Sequence, residues 1–240
     1  MQIQGSIALV TGANRGIGRS YVQALLDRGA AKVYAAARDT ASLSFNDPRV
    51  VPLKLDVADA AQVAAAAKAA PDVTLLINNA GVIFGGELLR DGVVEDARKE
   101  IEVNYLAPLA LAQAFAPALK ASKGGLVNVL SMLAKVAARG AVTYSASKAA
   151  GLLLNTALRA EFAPHGVSVV AVLPVQVETD MGKGLPEPRL TPEEVVAETL
   201  DALENGTDEV FPGVLTKNAL AGFTADPKGF QAMLLGAGAH

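Results

Sequence analysis

Short apolar runs rich in β-branched residues alternate along this sequence with longer Ala/Leu-rich stretches of helical patterning. A strand without polar alternation is covered on both faces, as happens when crossover helices pack above and below a parallel sheet. The order therefore predicts an α/β fold, a doubly wound parallel sheet of about seven strands with helices on both faces. The predicted strands cover residues 7–10, 33–36, 50–55, 73–77, 126–130, 167–173 and 209–211.

Start signals precede two of the predicted helices. Asp59 followed by Gln62 resembles a capping box, and Thr191 is followed by a proline and then by a glutamate three residues on. The alanine-rich stretch 60–70 predicts a plain crossover helix, because alanine is the best helix former. No internal repeat or change of composition divides the chain, so the 240 residues are expected to form a single domain.

Composition and charge exclude several classes of protein. With 51% hydrophobic residues and a net charge of −3, the chain is not disordered and carries neither a nucleic-acid footprint nor a polybasic membrane patch. It has no cysteine, so disulfides, thiolate metal sites and cysteine nucleophiles are excluded. Its histidines, His165 and His240, have no neighbours at metal-ligand spacing. We expect a small-molecule partner, with no nucleic acid, no membrane and no metal.

The longest apolar stretch is also too short to cross a membrane. Residues 106–119 are interrupted by Pro108, Gln113 and Pro117 and fall short of the roughly 20 residues that a bilayer requires. The N-terminus carries no positively charged region of the signal-peptide type. We therefore expect a cytoplasmic location.

A glycine-rich turn follows the first predicted strand and opens a helix that runs to about residue 28. Glycines at this turn let the backbone approach a pyrophosphate, which then binds to free N–H groups at the helix N-terminus. The spacing Gly-x-x-x-Gly-x-Gly differs from the commoner Gly-x-Gly-x-x-Gly, and the alternative is that the glycines only make a tight turn. The residues expected to contact a dinucleotide here are Gly12, Asn14, Arg15, Gly16, Ile17 and Gly18.

The end of the second predicted strand bears on which dinucleotide is bound. Arg38 lies twenty positions after Gly18, where an arginine accommodates a ribose 2′-phosphate and a carboxylate binds the free 2′-hydroxyl. Arg15 could supply a second cation, so the pattern favours NADP(H) over NAD(H). Two alternatives stay open: a shift of one residue would present Asp39 instead, or Arg38 and Asp39 form a solvated pair in a loop.

Three polar side chains follow the fifth predicted strand. Ser131 comes directly after it, and Tyr144 and Lys148 lie four apart in a helical stretch, which places them on one helix face. A lysine ammonium beside the phenol would lower a pKa that is about 10 when unperturbed. That change would make tyrosine a usable acid–base group, although Tyr-x-x-x-Lys alone is a weak signal.

In these features the chain resembles the short-chain dehydrogenases/reductases, single-domain proteins of about 250 residues with a Rossmann-type nucleotide-binding sheet. The glycine turn looks like the family's cofactor turn, and residues 78–81 match its Asn-Asn-Ala-Gly segment. Asn104 occupies the family's helical asparagine position. Ser131, Tyr144 and Lys148 then follow in the family's order, and the resemblance covers nearly the whole chain.

The resemblance implies four catalytic residues. Tyr144 would supply the proton to the developing alkoxide, and Ser131 would polarise the carbonyl oxygen. Lys148 would hold the nicotinamide ribose hydroxyls and lower the pKa of Tyr144. Asn104 is similar to the residue that anchors a water linking the lysine to solvent.

The resemblance also implies further cofactor contacts. Asp56 and Val57 resemble the pair that meets the adenine ring, and an ordinary strand-end turn is the alternative for Asp56. The stretch 174–179 resembles the segment that reads the nicotinamide carboxamide, but it has Val175 where glycine is usual. A β-branched residue there either changes the backbone angle or narrows the nicotinamide pocket. The other implied contacts are Asn79, Ala80, Gly81, Val177 and Thr179, with Tyr144 and Lys148.

On the substrate side, the family position of residues 180–191 implies a mobile lid. The lid is short and contains two glycines, so it is expected to close incompletely and to admit bulky substrates. Family position places mostly apolar residues near the reacting carbon, which favours a hydrophobic or aryl ketone or aldehyde, although some of them could simply pack in the core. These residues are Phe84, Met132, Leu133, Val142, Gln176, Met181 and Leu185.

The expected function is therefore an NADP(H)-dependent carbonyl reductase or alcohol dehydrogenase. The alternative is a catalytically silent NADP-binding redox sensor, which would have no reason to keep Ser131, Tyr144 and Lys148 together. A sugar-nucleotide epimerase would require an additional substrate domain, for which the chain has no room. In the family, the helices near 96–120 and 143–162 often pair across a two-fold axis, which implies a homodimer or homotetramer. The C-terminal stretch lacks the Gly-Gln…Asp-Gly-Gly ending of tetrameric relatives.

Overall fold

The computed structural model describes residues 1–236 and contains one seven-stranded, fully parallel sheet, which confirms the predicted fold class. The strands run in the order β3-β2-β1-β4-β5-β6-β7. Each predicted strand is present, with ends that differ by one or two residues. The strands are β1 Ile7–Thr11, β2 Lys32–Ala37, β3 Val50–Lys54, β4 Leu75–Asn78, β5 Gly125–Val129, β6 Ser168–Val172 and β7 Glu209–Val210.

Helices cover both faces of the sheet, and each face has its own apolar core. One core joins β-strand side chains to Tyr21 of α1 and Val195 of α6, and the other joins them to Val63 of α2, Phe115 of α4 and Leu154 of α5. This arrangement explains why the central strands are apolar throughout. The helices are α1 Gly16–Asp27, α2 Ala60–Ala69, α3 Val93–Ile101, α4 Ala107–Ser122, α5 Val142–Phe162, α6 Pro192–Asn205, α7 Gly213–Ala225 and α8 Pro227–Leu235.

The helical segment predicted near 96–120 is divided by a π-helical turn at Glu102–Leu106. Pro108 follows this turn, in the first turn of α4, where a missing N–H costs little. Pro117 lies inside α4. Wide π turns often occur at functional sites, and this one carries the buried Asn104.

The two predicted helix caps differ in detail. Thr191 and Glu194 form the complete capping box, with reciprocal side-chain to backbone hydrogen bonds. Asp59 caps α2 by accepting from the amides of Ala61 and Gln62. The Gln62 carboxamide oxygen, however, accepts from the amide of Asp56 at 2.9 Å, so the second half of that box does not form.

A chain of buried amides ties the centre of the sheet to α5. The Asn78 side chain donates to Asn128 and the Asn128 side chain donates to Asn155, both at 2.9 Å. Asn78 and Asn128 are register partners at the carboxyl ends of β4 and β5. These bonds fix the strand ends from which the site residues project.

The C-terminal part of the chain forms two helices, α7 and α8, that pack against each other through an edge-on contact of Phe223 and Phe230 with ring centroids 6.2 Å apart. None of the described helices is long and apolar enough to cross a bilayer. Residues 1–236 contain no group of three or more His, Asp or Glu side chains arranged to hold a metal ion.

Candidate active site

The strand order reverses between β1 and β4, and the crevice outside their carboxyl ends is where open α/β sheets bind ligands. A cavity of about 680 Å³ lies there. It extends from the turn after β1, past the ends of β2, β3, β4 and β5, to the loop after β6 and to α8. All the predicted cofactor-contact residues line this cavity.

At its glycines the turn brings bare backbone to the cavity wall. A Cβ added to Gly18 would lie 2.1 Å from the carbonyl oxygen of Gly12, so only glycine allows α1 to start this close to β1. Gly12 and Gly16 have positive φ angles of 63° and 49°. The N-cap residue of α1, Arg15, makes no side-chain capping bond. The first amides of α1 are thus left for an anion, and the turn fits a dinucleotide pyrophosphate.

Thr11 joins the glycine turn to the Asn-Asn-Ala-Gly segment, a contact that sequence reasoning missed. Its hydroxyl accepts from the amides of Asn79 and Ala80 at 2.9 and 3.0 Å. The Asn79 side chain in turn donates to the Thr11 carbonyl at 2.8 Å. The sequence places Thr11 directly before the glycine turn, but it does not show which residues Thr11 contacts. Those contacts arise because β4 lies next to β1 in the sheet.

Arg38 and Asp39 have different environments. Arg38 is exposed and lines the cavity. Asp39 instead caps a short 3₁₀ turn, accepting from the amide of Ala41 at 3.0 Å. At the end of β2, therefore, Arg38 lines the cavity and the Asp39 carboxylate accepts a hydrogen bond from the backbone.

Ser131, Tyr144 and Lys148 lie together on the cavity wall. Ser131 follows β5 and caps a short 3₁₀ turn, its hydroxyl accepting from the amide of Leu133 at 3.1 Å. The Ser131 side chain lies close enough to the Tyr144 phenol to influence its pKa. Lys148 lies one turn further along α5, with its Nζ 5.6 Å from the Tyr144 ring centroid and 2.9 Å from the Val129 carbonyl oxygen, to which it donates.

Burial dominates the electrostatics of this group. Desolvation raises the pKa of Tyr144 to about 12, with the neighbouring Ser131 side chain opposing the shift and the charge of Glu100 adding to it. Burial also lowers the pKa of Lys148 to about 8. Lys148 is not among the groups that shift the Tyr144 pKa here, so the expected lowering of that pKa by Lys148 is not present in this structure.

Asn104 lies behind the cavity wall and not on it. Its side-chain oxygen accepts from the amide of Val82, and its nitrogen donates to the Val82 carbonyl and to the Ser147 hydroxyl, each at 2.9 Å. Gly81 lies between Asn104 and Lys148. A Cβ on Gly81 would be 3.1 Å from the side-chain oxygen of Asn104 and 3.4 Å from Lys148 Nζ. In this structure Asn104 fixes the turn after β4.

The loop after β6 accommodates Val175 without strain. Among residues 1–236, Lys123 is the one non-glycine residue with a positive φ, so Val175 does not need a glycine conformation. Its amide donates to the buried Thr216 of α7 at 3.3 Å. The side chain lines the cavity and packs against the core. The valine side chain therefore occupies space in the pocket that a glycine would leave open.

The predicted lid at 180–191 is anchored at both ends. Its base is held by paired backbone bonds between residues 176–178 and Leu190. At its start, Asp180 forms ion pairs with Arg15 of the glycine turn at 3.1 Å and with Lys183 at 2.8 Å. Arg15, expected beside Arg38 as a second phosphate ligand, is thus engaged by the lid. Met181 and Leu185 line the cavity.

Two of the predicted substrate residues lie outside the cavity, which corrects the prediction. Phe84 is 46% exposed, and its ring lies 5.2 Å from Lys99 Nζ. Val142 is the first residue of α5, and its side chain is absent from the lining. Family position identified the segments but not which way these side chains turn. The remaining five do line the cavity: Met132, Leu133, Gln176, Met181 and Leu185.

The C-terminal helices supply a wall that sequence reasoning missed. Gln231 of α8 binds the backbone of Ala137 in both directions, accepting from its amide at 2.9 Å and donating to its carbonyl at 2.7 Å. The lid is therefore not the only boundary of the substrate end. No local motif marks this contact, because its partners are 94 residues apart. The lining residues missed here are Val136, Ala138, Arg139, Ala141, Ala219, Phe230 and Leu234.

Fold and site together define a class: an α/β protein with a glycine-rich nucleotide turn at the switch point of a parallel sheet and a Ser–Tyr–Lys group beside it. The short chain dehydrogenase family profile matches residues 6–189. The chain belongs to this family of oxidoreductases, which act on carbonyl and alcohol groups.

Similar proteins agree with this assignment. Over 190 residues the chain is 35% identical to the NADPH carbonyl reductase 2 of Sus scrofa, covering 77% of each chain. It is 36% identical over 200 residues to the short chain dehydrogenase tazN of Aspergillus terreus, covering 77% of this chain but only 44% of that longer protein. A crystal structure of a short chain dehydrogenase from Burkholderia cenocepacia in complex with NADP is 47% identical, with a TM-score of 0.93 and coverage of 98% and 99%.

Proposed function

We propose that the protein is an NADPH-dependent reductase of hydrophobic ketones, with Tyr144 as the proton donor. The observation that carries this proposal is the placement of Tyr144 and Ser131 close together on the wall of the same cavity that the glycine turn lines. A nucleotide-binding protein without catalysis has no use for this pair beside its nicotinamide end.

The chain's own residues account for the proton side of the reaction. When bound, the nicotinamide cofactor supplies the hydride. Ser131 donates a hydrogen bond that orients the carbonyl oxygen, and Tyr144 transfers its proton to that oxygen as negative charge develops. Because burial holds the Tyr144 pKa at about 12, the phenol is protonated near neutral pH, which suits reduction. Lys148, held by the Val129 carbonyl, is the adjacent cation from which the proton can be replaced.

The choice of NADPH is supported by the cation at the end of β2. Arg38 lines the cavity while Asp39 is engaged by the Ala41 amide, so a 2′-phosphate would meet a guanidinium and no competing carboxylate. A hydrogen bond to a charged group contributes about 1.5–3 kcal/mol, and exposure places Arg38 at the low end. We expect Arg38→Ala to weaken NADPH about tenfold and NADH hardly at all.

Cofactor binding measured by fluorescence titration tests this choice. Arg98→Ala, on the exposed surface of α3, is the matched control and should leave both affinities unchanged. Equal losses of NADPH and NADH affinity in Arg38→Ala would assign the selection to another group.

The reductase activity is tested by following NADPH and NADH absorbance with small aliphatic, bulky aliphatic and aryl ketones. We expect turnover with NADPH and with the bulky and aryl members, because most of the substrate-side lining is apolar. Tyr144→Phe serves as the blank. If the wild-type protein binds NADPH but reduces no ketone in the series, the proposal fails and a sensor role takes its place.

We further propose that the protein assembles as a homo-oligomer through α4 and α5. Leu109 of α4, Leu106 just before it and Leu153 of α5 are exposed, Leu153 by 75%. Apolar side chains at such positions are typical of a symmetric interface. Sedimentation velocity should show a dimer or tetramer for the wild-type protein and a smaller species for Leu153→Asp, with Lys54→Asp as a control on an exposed residue of the edge strand. A monomeric wild-type protein would contradict the proposal.

A further inference from the structure

One charged side chain of the cavity has no role in the proposed binding of the cofactor or in the proton transfer. Lys148 stands beside Tyr144. Arg15 and Asp180 form an ion pair with each other. Of the other three charged residues that line the cavity, Arg38 and Asp56 lie at the ends of β2 and β3. The third, Arg139, lies in the segment that follows Ser131, among apolar residues. The charged residues lining the cavity are Arg15, Arg38, Asp56, Arg139, Lys148 and Asp180.

The backbone of Arg139 is held firmly on the cavity wall. Its amide donates to the carbonyl of Leu234 in α8 at 2.9 Å. Two residues earlier, Ala137 is bound in both directions by Gln231 of the same helix. Three hydrogen bonds therefore fix the segment 136–139 to α8, and the position from which the guanidinium projects is set by the fold.

Arg139 is exposed, and within the described part of the chain its guanidinium forms no ion pair. Among residues 1–236 no carboxylate lies within 4 Å of it. Its Nη1 lies 3.6 Å from the position of a Cβ on Gly236, at the end of α8. Leu234, to which the Arg139 amide is bonded, is apolar, and so are other residues of the cavity lining such as Leu133 and Phe230.

A cation at the rim of an apolar chamber matches a ligand with an apolar body and an anionic end. Guanidinium binds a carboxylate through two parallel hydrogen bonds, which fixes orientation as well as adding affinity. The apolar lining would hold the body of the same molecule, and Tyr144 and Ser131 would reach its carbonyl group.

We propose that Arg139 recognises the carboxylate of the substrate, and that the substrate class is an oxo acid whose ketone and carboxylate are separated by an apolar chain or ring. This inference rests on the proposed ketone reductase function and names its substrate class. No step of the reaction changes, because the carboxylate only anchors the molecule while the ketone is reduced.

The test compares acids with their neutral amides, which differ in charge but hardly in shape. The probes are 4-acetylbenzoate and 4-acetylbenzamide, and 4-(4-acetylphenyl)butanoate with its amide, so that two lengths are sampled. kcat/KM with NADPH is measured for the wild-type protein, Arg139→Met, Arg139→Lys and the surface control Arg98→Met. Binding of each probe to the NADP-loaded protein is measured separately by calorimetry, which needs no turnover.

We expect the wild-type protein to prefer the acid over the amide by about twofold to tenfold at one length or both, and the preference to fall as salt is added. Arg139→Met should remove the preference by lowering kcat/KM for the acids to the value for the amides measured in the same variant, and Arg139→Lys should retain part of the preference. Arg98→Met should behave as the wild-type protein. Loss of acid binding in Arg139→Met without any ketone turnover would support the anion site and refute the reductase function.

Two results would overturn the inference. One is an acid-to-amide ratio, in rate and in binding, that is the same in the wild-type protein and in Arg139→Met at both lengths. The other is a lower unfolding temperature of Arg139→Met together with an unaltered acid-to-amide ratio. That result would mean that the Arg139 guanidinium only stabilises the C-terminal end of α8 through the helix dipole. If the amides are still reduced when either of these results is obtained, the proposed reductase function remains supported.

Discussion

The two hydrogen bonds of Gln231 hold α8 against the segment 136–139, and replacing Gln231 with Leu removes both with little change in volume. The Ala137 amide and carbonyl then lose their partners on α8, where the distances are 2.9 and 2.7 Å. The remaining attachments are the bond from the Arg139 amide to Leu234 and the packing of Phe230 on α7. The helix should therefore open more often without the whole fold being lost.

The size of the effect follows from the number of bonds lost. A hydrogen bond contributes about 1 kcal/mol net, so two contribute about 2 kcal/mol to docking of α8. Since about 1.4 kcal/mol is a factor of ten in an equilibrium constant, the open population should rise about 30-fold. The KM for bulky ketones should rise with it, because Phe230 and Leu234 leave the cavity wall in the open form.

Hydrogen exchange followed by mass spectrometry or NMR measures this opening directly. The Arg139 amide, bonded to Leu234, should exchange about 30-fold faster in Gln231→Leu, while amides of the central strands keep their protection. Gln23→Leu is the matched control, because Gln23 is exposed and bonds only to Asp27 within α1. Unchanged exchange at Arg139 would refute the reasoning, and faster exchange throughout the sheet would show that α8 does not open as a separate unit.

Two further predictions concern the pH dependence and the core. Glu100→Gln should lower the Tyr144 pKa, because the charge of Glu100 raises it. The alkaline loss of reductase activity, which marks deprotonation of the phenol, should then shift to lower pH in the kcat/KM profile. A profile like that of the exposed control Glu102→Gln would contradict this prediction. Asn128→Ala leaves the buried side chains of Asn78 and Asn155 without their 2.9 Å hydrogen-bond partner. The free energy of unfolding, measured in urea, should fall by about 2–6 kcal/mol, whereas the exposed control Asn46→Ala should change it hardly at all. A loss of less than about 1 kcal/mol in Asn128→Ala would be inconsistent with these hydrogen bonds.

The features that were predictable from sequence are those set by local interactions. The glycine turn, the Thr191 cap and the apolar strands each depend on residues that are near neighbours in the chain. The alternation of strands and helices predicted the doubly wound parallel sheet but not its strand order, because right-handed crossovers allow more than one order. Strand ends were displaced by one or two residues because hydrogen bonding to a neighbouring strand, and not composition, determines where a strand stops.

The substrate wall could not be predicted in the same way. Gln231 and Ala137 are 94 residues apart, and neither lies in a recognisable motif. Phe84 was placed by family position, but its ring turns outward toward Lys99. Side-chain direction at the end of a loop depends on tertiary packing, which a spacing pattern does not contain.

The pKa of Tyr144 illustrates a second limit of sequence reasoning. The four-residue spacing to Lys148 is sufficient to suggest a lowered pKa, because the ammonium stabilises the phenolate. The effect of burial is visible only when the surrounding side chains are in place, and in this structure burial is the largest cause of the shift, which raises the Tyr144 pKa. The same burial lowers the pKa of Lys148 to about 8 and so weakens the expected partner.

The central claim, proton donation by Tyr144 during hydride transfer from bound NADPH, is tested most directly by isotope transfer. The protein is supplied with NADPH carrying deuterium at the reactive C4 position and with an aryl ketone, and the product is analysed by mass spectrometry. The account predicts one deuterium on the carbinol carbon with the wild-type protein, and a rate about 10²–10⁴-fold lower with Tyr144→Phe at unchanged NADPH affinity. Deuterium transfer by Tyr144→Phe at the wild-type rate, or none by the wild-type protein with NADPH bound, would contradict it.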